Sequence, residues 1–434
     1  MIKIKVKNFG PIKNGFTQSE DGFFEVGKLS IFVGNQGAGK STVAKLISSF
    51  LWVEKVILSS EMNKNDISTK SFFKKLLAFH KIESYYSTES QIEFEDQYLK
   101  ISIIDEKIQY EILNQEEYIR PQIQYIPAER NLVSVVNRFS QLRMLPDSLQ
   151  NFLYAYDDAI RDTEMQNVES PIENLKVRYN KRKNKVEVFT NDYSLGLDSA
   201  ASGFQSSIPL FIVSKYFSDS IKKRRNEYKF KSLAEEKKFY KDYSGIMKEK
   251  MNEYSKKTLE PFFDIPENDE PFYNMPVGDE PFYCEPETKD GDTFQKFLNR
   301  TLNSRFCNIV EEPELNLFPD SQKNIASFLI ECLNGNKNNN LIITTHSPYV
   351  LETINNSIYA ALLQKKGISV ESIVPLLEQI EYENVSAYMV KNGEIFSIMV
   401  NDLKQIDPSE IDKCSEEINT IYSELIDMEV NNEN

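Results

Sequence analysis

The sequence predicts an α/β fold, and three stretches predict it. The apolar run Leu29-Ser30-Ile31-Phe32-Val33 leads into Gly34-Asn35-Gln36-Gly37-Ala38-Gly39-Lys40-Ser41-Thr42 and then Val43-Ala44-Lys45-Leu46-Ile47, the order of a strand, a Gly-rich turn and a helix. A second apolar run, Phe306-Cys307-Asn308-Ile309-Val310, ends in the paired carboxylates Glu311 and Glu312. A third, Leu341-Ile342-Ile343-Thr344-Thr345, delivers His346, one of only two histidines in the chain.

The first stretch carries G-x-x-x-x-G-K-S between strand and helix, which fits a phosphate-binding P-loop. Glycines let the backbone curl so that its N–H groups face an anion. The helix start adds unpaired N–H groups and the positive end of its dipole. Lys40 can reach the β/γ-phosphates and the Ser41 hydroxyl can ligate Mg²⁺. All of Gly34, Asn35, Gln36, Gly37, Ala38, Gly39, Lys40, Ser41 and Thr42 are therefore candidate ATP-binding residues. A fortuitous Gly-rich turn is the competing reading; the Lys-Ser pair and both flanks outweigh it.

The 434 residues are enough for two or three domains, and 40% hydrophobic composition can bury a sizeable core. A net charge of -15 argues against generic nucleic-acid binding, though not against a local basic patch. Cys284, Cys307, Cys332 and Cys414 show no C-x-x-C and no metal spacing, which suits a reducing cytosol. The start, Met1–Val6, alternates like a strand and is no signal peptide. No apolar run reaches the ~20 residues of a membrane span. The expected location is cytoplasmic.

In chain order, Ile2, Ile4 and Val6 alternate with lysines, Asn8-Phe9-Gly10-Pro11-Ile12 makes a turn, and Phe23–Val26 gives more strand before the P-loop. This opening resembles the ABC-type ATPases of the SMC, RecF and OLD group, which begin with strand, an N-F-x-x-I turn and more strand. The fold class the resemblance implies is a P-loop NTPase of ABC-ATPase type, with N-terminal antiparallel strands and a helical lobe carrying a signature motif. Helix is expected over 43–56, partial helix around Phe72–Phe79, a surface or half-buried His80, and two or three strands over 91–113. Gln122–Ile126 reads as a buried strand. In the family such a strand ends in a Q-loop; here no Gln follows, and Glu129 or Arg130 takes that place or forms a structural ion pair.

Residues 136–167 read as helical, and only about seventy residues separate Arg130 from Ser202, too few for the long coiled-coil arm of SMC proteins. Val177–Tyr179 and Val186–Phe189 read as a hairpin whose Lys181-Arg182-Lys183 is a solvated turn, with phosphate contact the minority reading. Ser199-Ala200-Ala201-Ser202-Gly203-Phe204-Gln205 is by itself a Ser-rich helix cap. At this place it resembles the L-S-G-G-Q signature: Ser202, Gly203 and Gln205 match, while Ala201 and Phe204 depart. The resemblance implies that Ser202 grips the γ-phosphate held by another protomer, hence a homodimer sandwiching two nucleotides, with a higher oligomer left open.

Residues 218–258 read as charged, exposed helices. Residues 260–290 hold three copies of E-P-F-[FY] at a ten-residue period, whose prolines exclude helix. They form an acidic insertion, either without a role or a docking site. Glu311-Glu312-Pro313-Glu314-Leu315-Asn316-Leu317 resembles the Walker B of the OLD/RecF-like branch. By that match Glu311 holds Mg²⁺, Glu312 polarises the attacking water, Asn316 lies in the D-loop, and His346 of Thr345-His346-Ser347-Pro348 is the switch residue. Lys40, Glu312 and His346 are the catalytic candidates, and Ser41 and Glu311 the metal candidates. A hairpin (385–390, 394–400) and a last helix follow, with Ile411, Cys414, Ile418, Ile421 and Leu425 on one stripe that packs on the domain or pairs with a partner.

The expected organisation is an ATPase core in two parts, 1–130 and 301–356, a signature lobe at 131–217, a charged insertion at 218–300, and a tail at 357–434. The tail has no D-x-D pair of the kind that OLD nucleases carry in a TOPRIM domain. A short-armed head of this kind resembles the ATPase subunits of bacterial anti-phage systems such as PARIS and Septu, which control a separate nuclease or toxin. A RecF-like DNA-repair ATPase and a nucleotide-gated scaffold with little turnover are the alternatives.

Overall fold

A computed structural model describes residues 2–135, 145–162, 167–172, 175–226, 296, 298–409, 418–426 and 428. The E-P-F-[FY] repeats, the charged stretch beyond 226, residues 136–144 of the expected helix, Cys284, and Ile411 and Cys414 of the tail stripe lie outside them.

Its centre is a seven-stranded sheet in the order β2-β16-β15-β4-β14-β13-β8. These are Gly15–Phe16 (β2), Leu29–Val33 (β4), Pro121–Ile126 (β8), Arg305–Glu311 (β13), Asn340–Thr345 (β14), Val385–Lys391 (β15) and Glu394–Ser397 (β16). The run β15-β4-β14-β13-β8 is parallel throughout. Parallel strands covered on both faces are apolar without alternation, and β4 and β13 are buried at every position.

Each face of that sheet has its own core. Along β4, Leu29, Ile31 and Val33 face one way and Phe32 the other. The Phe32 side is covered by α1 (Lys40–Leu58) and by a five-stranded antiparallel sheet, β3-β1-β5-β6-β7. Its strands are Ile2–Lys7 (β1), Phe24–Val26 (β3), Gln91–Glu95 (β5), Leu99–Ile104 (β6) and Lys107–Ile112 (β7), so 91–113 gives three strands. Short α2 (Lys64–Ile67) and then α3 (Lys70–Ala78) lie between α1 and β5, with Thr69 capping α3 through Phe72 N.

The opposite side is covered by helices. Short α4 (Leu132–Val135) precedes α5 (Asp147–Arg161), and α6 (Ser202–Asn226), α7 (Pro319–Asn334) and α8 (Pro348–Lys365) complete the layer. A four-stranded sheet, Val168–Glu169 (β9), Lys176–Asn180 (β10), Lys185–Phe189 (β11) and Ser194–Gly196 (β12), stands between α5 and α6. The expected hairpin is its centre, and the turn at 181–184 is exposed.

One expectation changes. His80 is buried, not half-buried: only 2% of it is exposed, with neither ring nitrogen hydrogen-bonded, because α3 seats it against Tyr125 at 4.6 Å between ring centroids. The expected hairpin forms at 385–397 and belongs to the central sheet. β15 lies parallel beside the P-loop strand β4, and β16 continues to β2. Of the tail stripe, the described residues Ile418, Ile421 and Leu425 are all more than half exposed.

Candidate active site

The strand order brings the three motif-bearing turns together. β14 lies between β4 and β13, so the turn after β14 sits between the Gly-rich turn and the paired glutamates. Ligands of open parallel sheets bind at these carboxyl ends.

The Gly-rich turn is shaped by close backbone approaches. Gly34 has φ 141°, and a Cβ there would lie 2.1 Å from Val390 O on β15. Gly39 has φ 114°, and its Cβ would meet the Ile12 side chain at 2.6 Å. The Asn8–Ile12 turn is thus the floor on which the loop rests. Residues 35–37 form an exposed rim, whereas Lys40 is only 5% exposed.

Lys40 Nζ donates to Gly34 O at 2.8 Å and Asn35 O at 3.0 Å, and lies 3.0 Å from His346 Nε2. The same Nε2 is 3.5 Å from Glu312 Oε1. It accepts from Lys40 or donates toward Glu312 according to its tautomer. Burial pulls the Lys40 ammonium below its usual pKa, and Glu312, Glu314 and Glu311 pull it back. The hydrogen bond with His346 holds the Glu312 carboxyl below its usual range against the opposing effect of burial, helped by Lys40 and Arg130.

Glu312 has φ 45°, a left-handed conformation uncommon outside glycine. Its N–H donates to Thr344 O at 2.8 Å, which pins the turn after β13 to β14. Glu311, 5% exposed, accepts from Ala128 N at 3.3 Å through Oε2, while buried Oε1 has no hydrogen-bond partner.

Two further groups complete the site. Glu314 Oε1 accepts from His346 N at 2.7 Å, and burial raises that carboxyl's pKa. Arg130, wholly buried, donates to the carbonyls of both Glu311 and Glu312, so the ion-pair alternative for it gives way to main-chain bonds. Glu129 is exposed. The third carboxylate of E-E-P-E was the available signal for Glu314. No local pattern shows where an arginine fork will find carbonyls.

The signature-like residues stand apart. Ser202 is exposed at the first turn of α6 and, among the described residues, joins none of these hydrogen bonds. Gly203 packs on the 316–317 turn, where a Cβ would lie 2.7 Å from Asn316 O. The Gln205 amide is engaged behind the helix, donating to Ala200 O at 2.9 Å and Asp198 O at 3.3 Å.

The residues present fit a triphosphate with a divalent cation. No side chain caps the N-terminus of α1 and its first turn has no acidic residue, which leaves N–H groups for an anion. A Cβ on Gly37 would meet nothing within 4 Å, so the rim has room. Unpaired Glu311 Oε1 is an acceptor in want of a cation. No group of three or more His, Cys, Asp or Glu able to hold a metal occurs among the described residues.

Residues 292–351 match the AAA ATPase domain family, a span holding Glu311, Glu312 and His346. No curated protein sequence matches the chain. Among solved structures the chain is similar to an SMC head domain from Thermotoga maritima, at 8% identity and TM-score 0.36, covering 92% of this chain and 98% of that one. It is also similar to an Smc head domain with an extended coiled coil, bound to the C-terminal domain of ScpA derived from Pyrococcus furiosus. There identity is 8% and TM-score 0.32, covering 96% of this chain and 100% of that one. No described helix is long and apolar enough to cross a membrane.

Proposed function

We propose that the protein is an ATPase whose sites are completed by a second copy of the chain. One observation carries this reading: His346 Nε2 lies 3.0 Å from Lys40 Nζ and 3.5 Å from Glu312 Oε1 at the ends of three adjacent parallel strands, beside an unpaired Glu311. Residues 34–42 hold the phosphates, and Lys40 turns from Gly34 and Asn35 carbonyls to the terminal phosphates. Glu311 and Ser41 would hold Mg²⁺, which would supply positive charge to offset that of the phosphates. Glu312, kept ionised by its surroundings, orients water for in-line attack. His346, fixed by Glu314 at its backbone, stands between the carboxylate and the lysine.

The exposed N-terminus of α6, whose Ser202 joins none of the described hydrogen bonds around Lys40, supports a partner's contribution to each site. Control of a separate effector in an anti-phage system rests on the motif resemblance alone. The test is ATP turnover by the purified chain with Mg²⁺, wild type against Glu312→Gln. Turnover falls by about 10²–10⁴-fold while ATP binding persists and the dimer becomes trapped. Unchanged turnover in the variant removes Glu312 from its role.

A further inference from the structure

Arg130 is the bulkiest of the fully buried side chains among the described residues. Its guanidinium spends its donors on main chain. Nε donates to Ser206 O at 2.8 Å, Nη1 to Pro127 O at 3.2 Å and Glu311 O at 2.6 Å, and Nη2 to Glu312 O at 2.7 Å. Those carbonyls lie on three elements: the end of β8, the carboxylate turn after β13, and the second turn of α6. A rigid five-donor fork fixes directions as well as distances. Its hydrogen bonds go to carbonyls, so beyond the charge it lends the Glu312 carboxylate this arrangement sets main-chain positions.

The neighbouring bonds point the same way. Pro209 has no N–H for Gln205 O, and Ser134 Oγ donates there instead at 3.2 Å. Asn316 Nδ2 donates to Ser206 Oγ at 3.3 Å. Gly203 admits the Asn316 carbonyl where any larger residue would strike it. The first two turns of α6 are therefore tied from the side to the turns after β8 and β13.

We propose that Arg130 is a positioning residue that locks the Ser202 end of α6 to the Glu312 turn of the same chain. This rests on the reading of the site as an ATPase shared between two copies. Ser202 then serves the partner's nucleotide while Glu312 serves its own, so Arg130 makes the two sites of a dimer move as one. A core residue that only packed would set stability and leave turnover per folded molecule unchanged.

The experiment compares wild type, Arg130→Lys and Ser206→Ala for ATP affinity, kcat and KM. Lysine keeps the charge but has one nitrogen, which cannot span the Ser206 and Glu312 carbonyls. Ser206→Ala favours helix and removes only the acceptor of Asn316, so it serves if Arg130→Lys does not fold. ATP affinity holds within about twofold, while kcat falls at least about tenfold in Arg130→Lys and several-fold in Ser206→Ala, as a small misplacement of catalytic groups costs.

A third arm puts Arg130→Lys into a Lys40→Ala chain and mixes it with a Ser202→Arg chain. The one intact site then borrows Ser202 from the Arg130→Lys chain, and its turnover drops below that of the same mixture with Arg130 intact. Wild-type kcat in both single variants, or an unchanged rate in the mixture, overturns the proposal. Absent ATP binding and turnover in the wild type instead overturns the reading of the site itself.

Discussion

Buried His80 makes the fold acid-sensitive, by an amount that can be worked out. Its ring lies between Phe79 and Tyr125, 2% exposed, with both nitrogens unpaired. Burial, with Lys45 nearby, lowers its pKa from 6.5 to about 3. The unfolded chain therefore binds a proton between these values that the folded chain refuses. Stability is fully present above pH 6.5 and is lost as pH falls toward 3, by ~1.4 kcal/mol per pH unit. Between pH 7 and pH 4.5 this one group removes roughly 2–3 kcal/mol, a large part of a typical folding free energy. Urea unfolding of wild type and His80→Phe at several pH values checks it. Acid effects of the carboxylates are common to both proteins, so the difference isolates His80. The stability gap should shift in favour of the variant by about 2–3 kcal/mol over that interval. Parallel pH profiles would refute a neutral, unpaired His80.

The base of the sheet gives a second stability test. Glu54 is wholly buried with Oε1 3.1 Å from Arg305 Nη2. Arg305→Met strands that carboxyl and costs about 3–5 kcal/mol in urea unfolding; adding Glu54→Leu recovers most of it, and an unchanged midpoint for the single variant sinks the account. Sharing of sites between copies is tested by mixing. Ser202→Arg and Lys40→Ala are each inactive alone, and an equal mixture regains about a quarter of wild-type turnover, since half the dimers carry one intact site. A mixture as inactive as its parts excludes sharing in trans.

What could be read from the chain divides by the range of the interaction that decides it. The turn at Gly34–Thr42, the carboxylates after β13 and His346 after β14 are strings of neighbours, each following its own apolar strand, and they were legible. So were the opening strands and the start of helix near Gly203. Position in the sheet was not: nothing local says that Val385–Lys391 lies beside Leu29–Val33. His80 closes a Lys-rich polar stretch, yet α3 turns it onto Tyr125, so tertiary packing overrode local polarity. Arg130 read either as standing in the Q-loop place or as half of a structural ion pair, because side-chain partners are the familiar pattern. Its partners are carbonyls separated from it by up to 182 residues. The last helix has an apolar stripe, but a stripe shows only that a face wants cover, and Ile418, Ile421 and Leu425 stay exposed among the described residues.

The placement of β4 also bears on how the chain is made. Both neighbours of the strand that carries the phosphate loop come from beyond residue 339. Val390 O even braces the loop at Gly34. A ribosome adding about 5–20 residues per second takes roughly 15–60 s to cover the ~300 residues between β4 and β14. During that interval β4 has neither of its sheet neighbours, although the antiparallel sheet of residues 2–112 can already cover α1, and no nucleotide can help to hold it. The nucleotide site is thus among the last features the nascent chain acquires, and chaperone occupancy of its first hundred residues should fall only after β15 has left the ribosome.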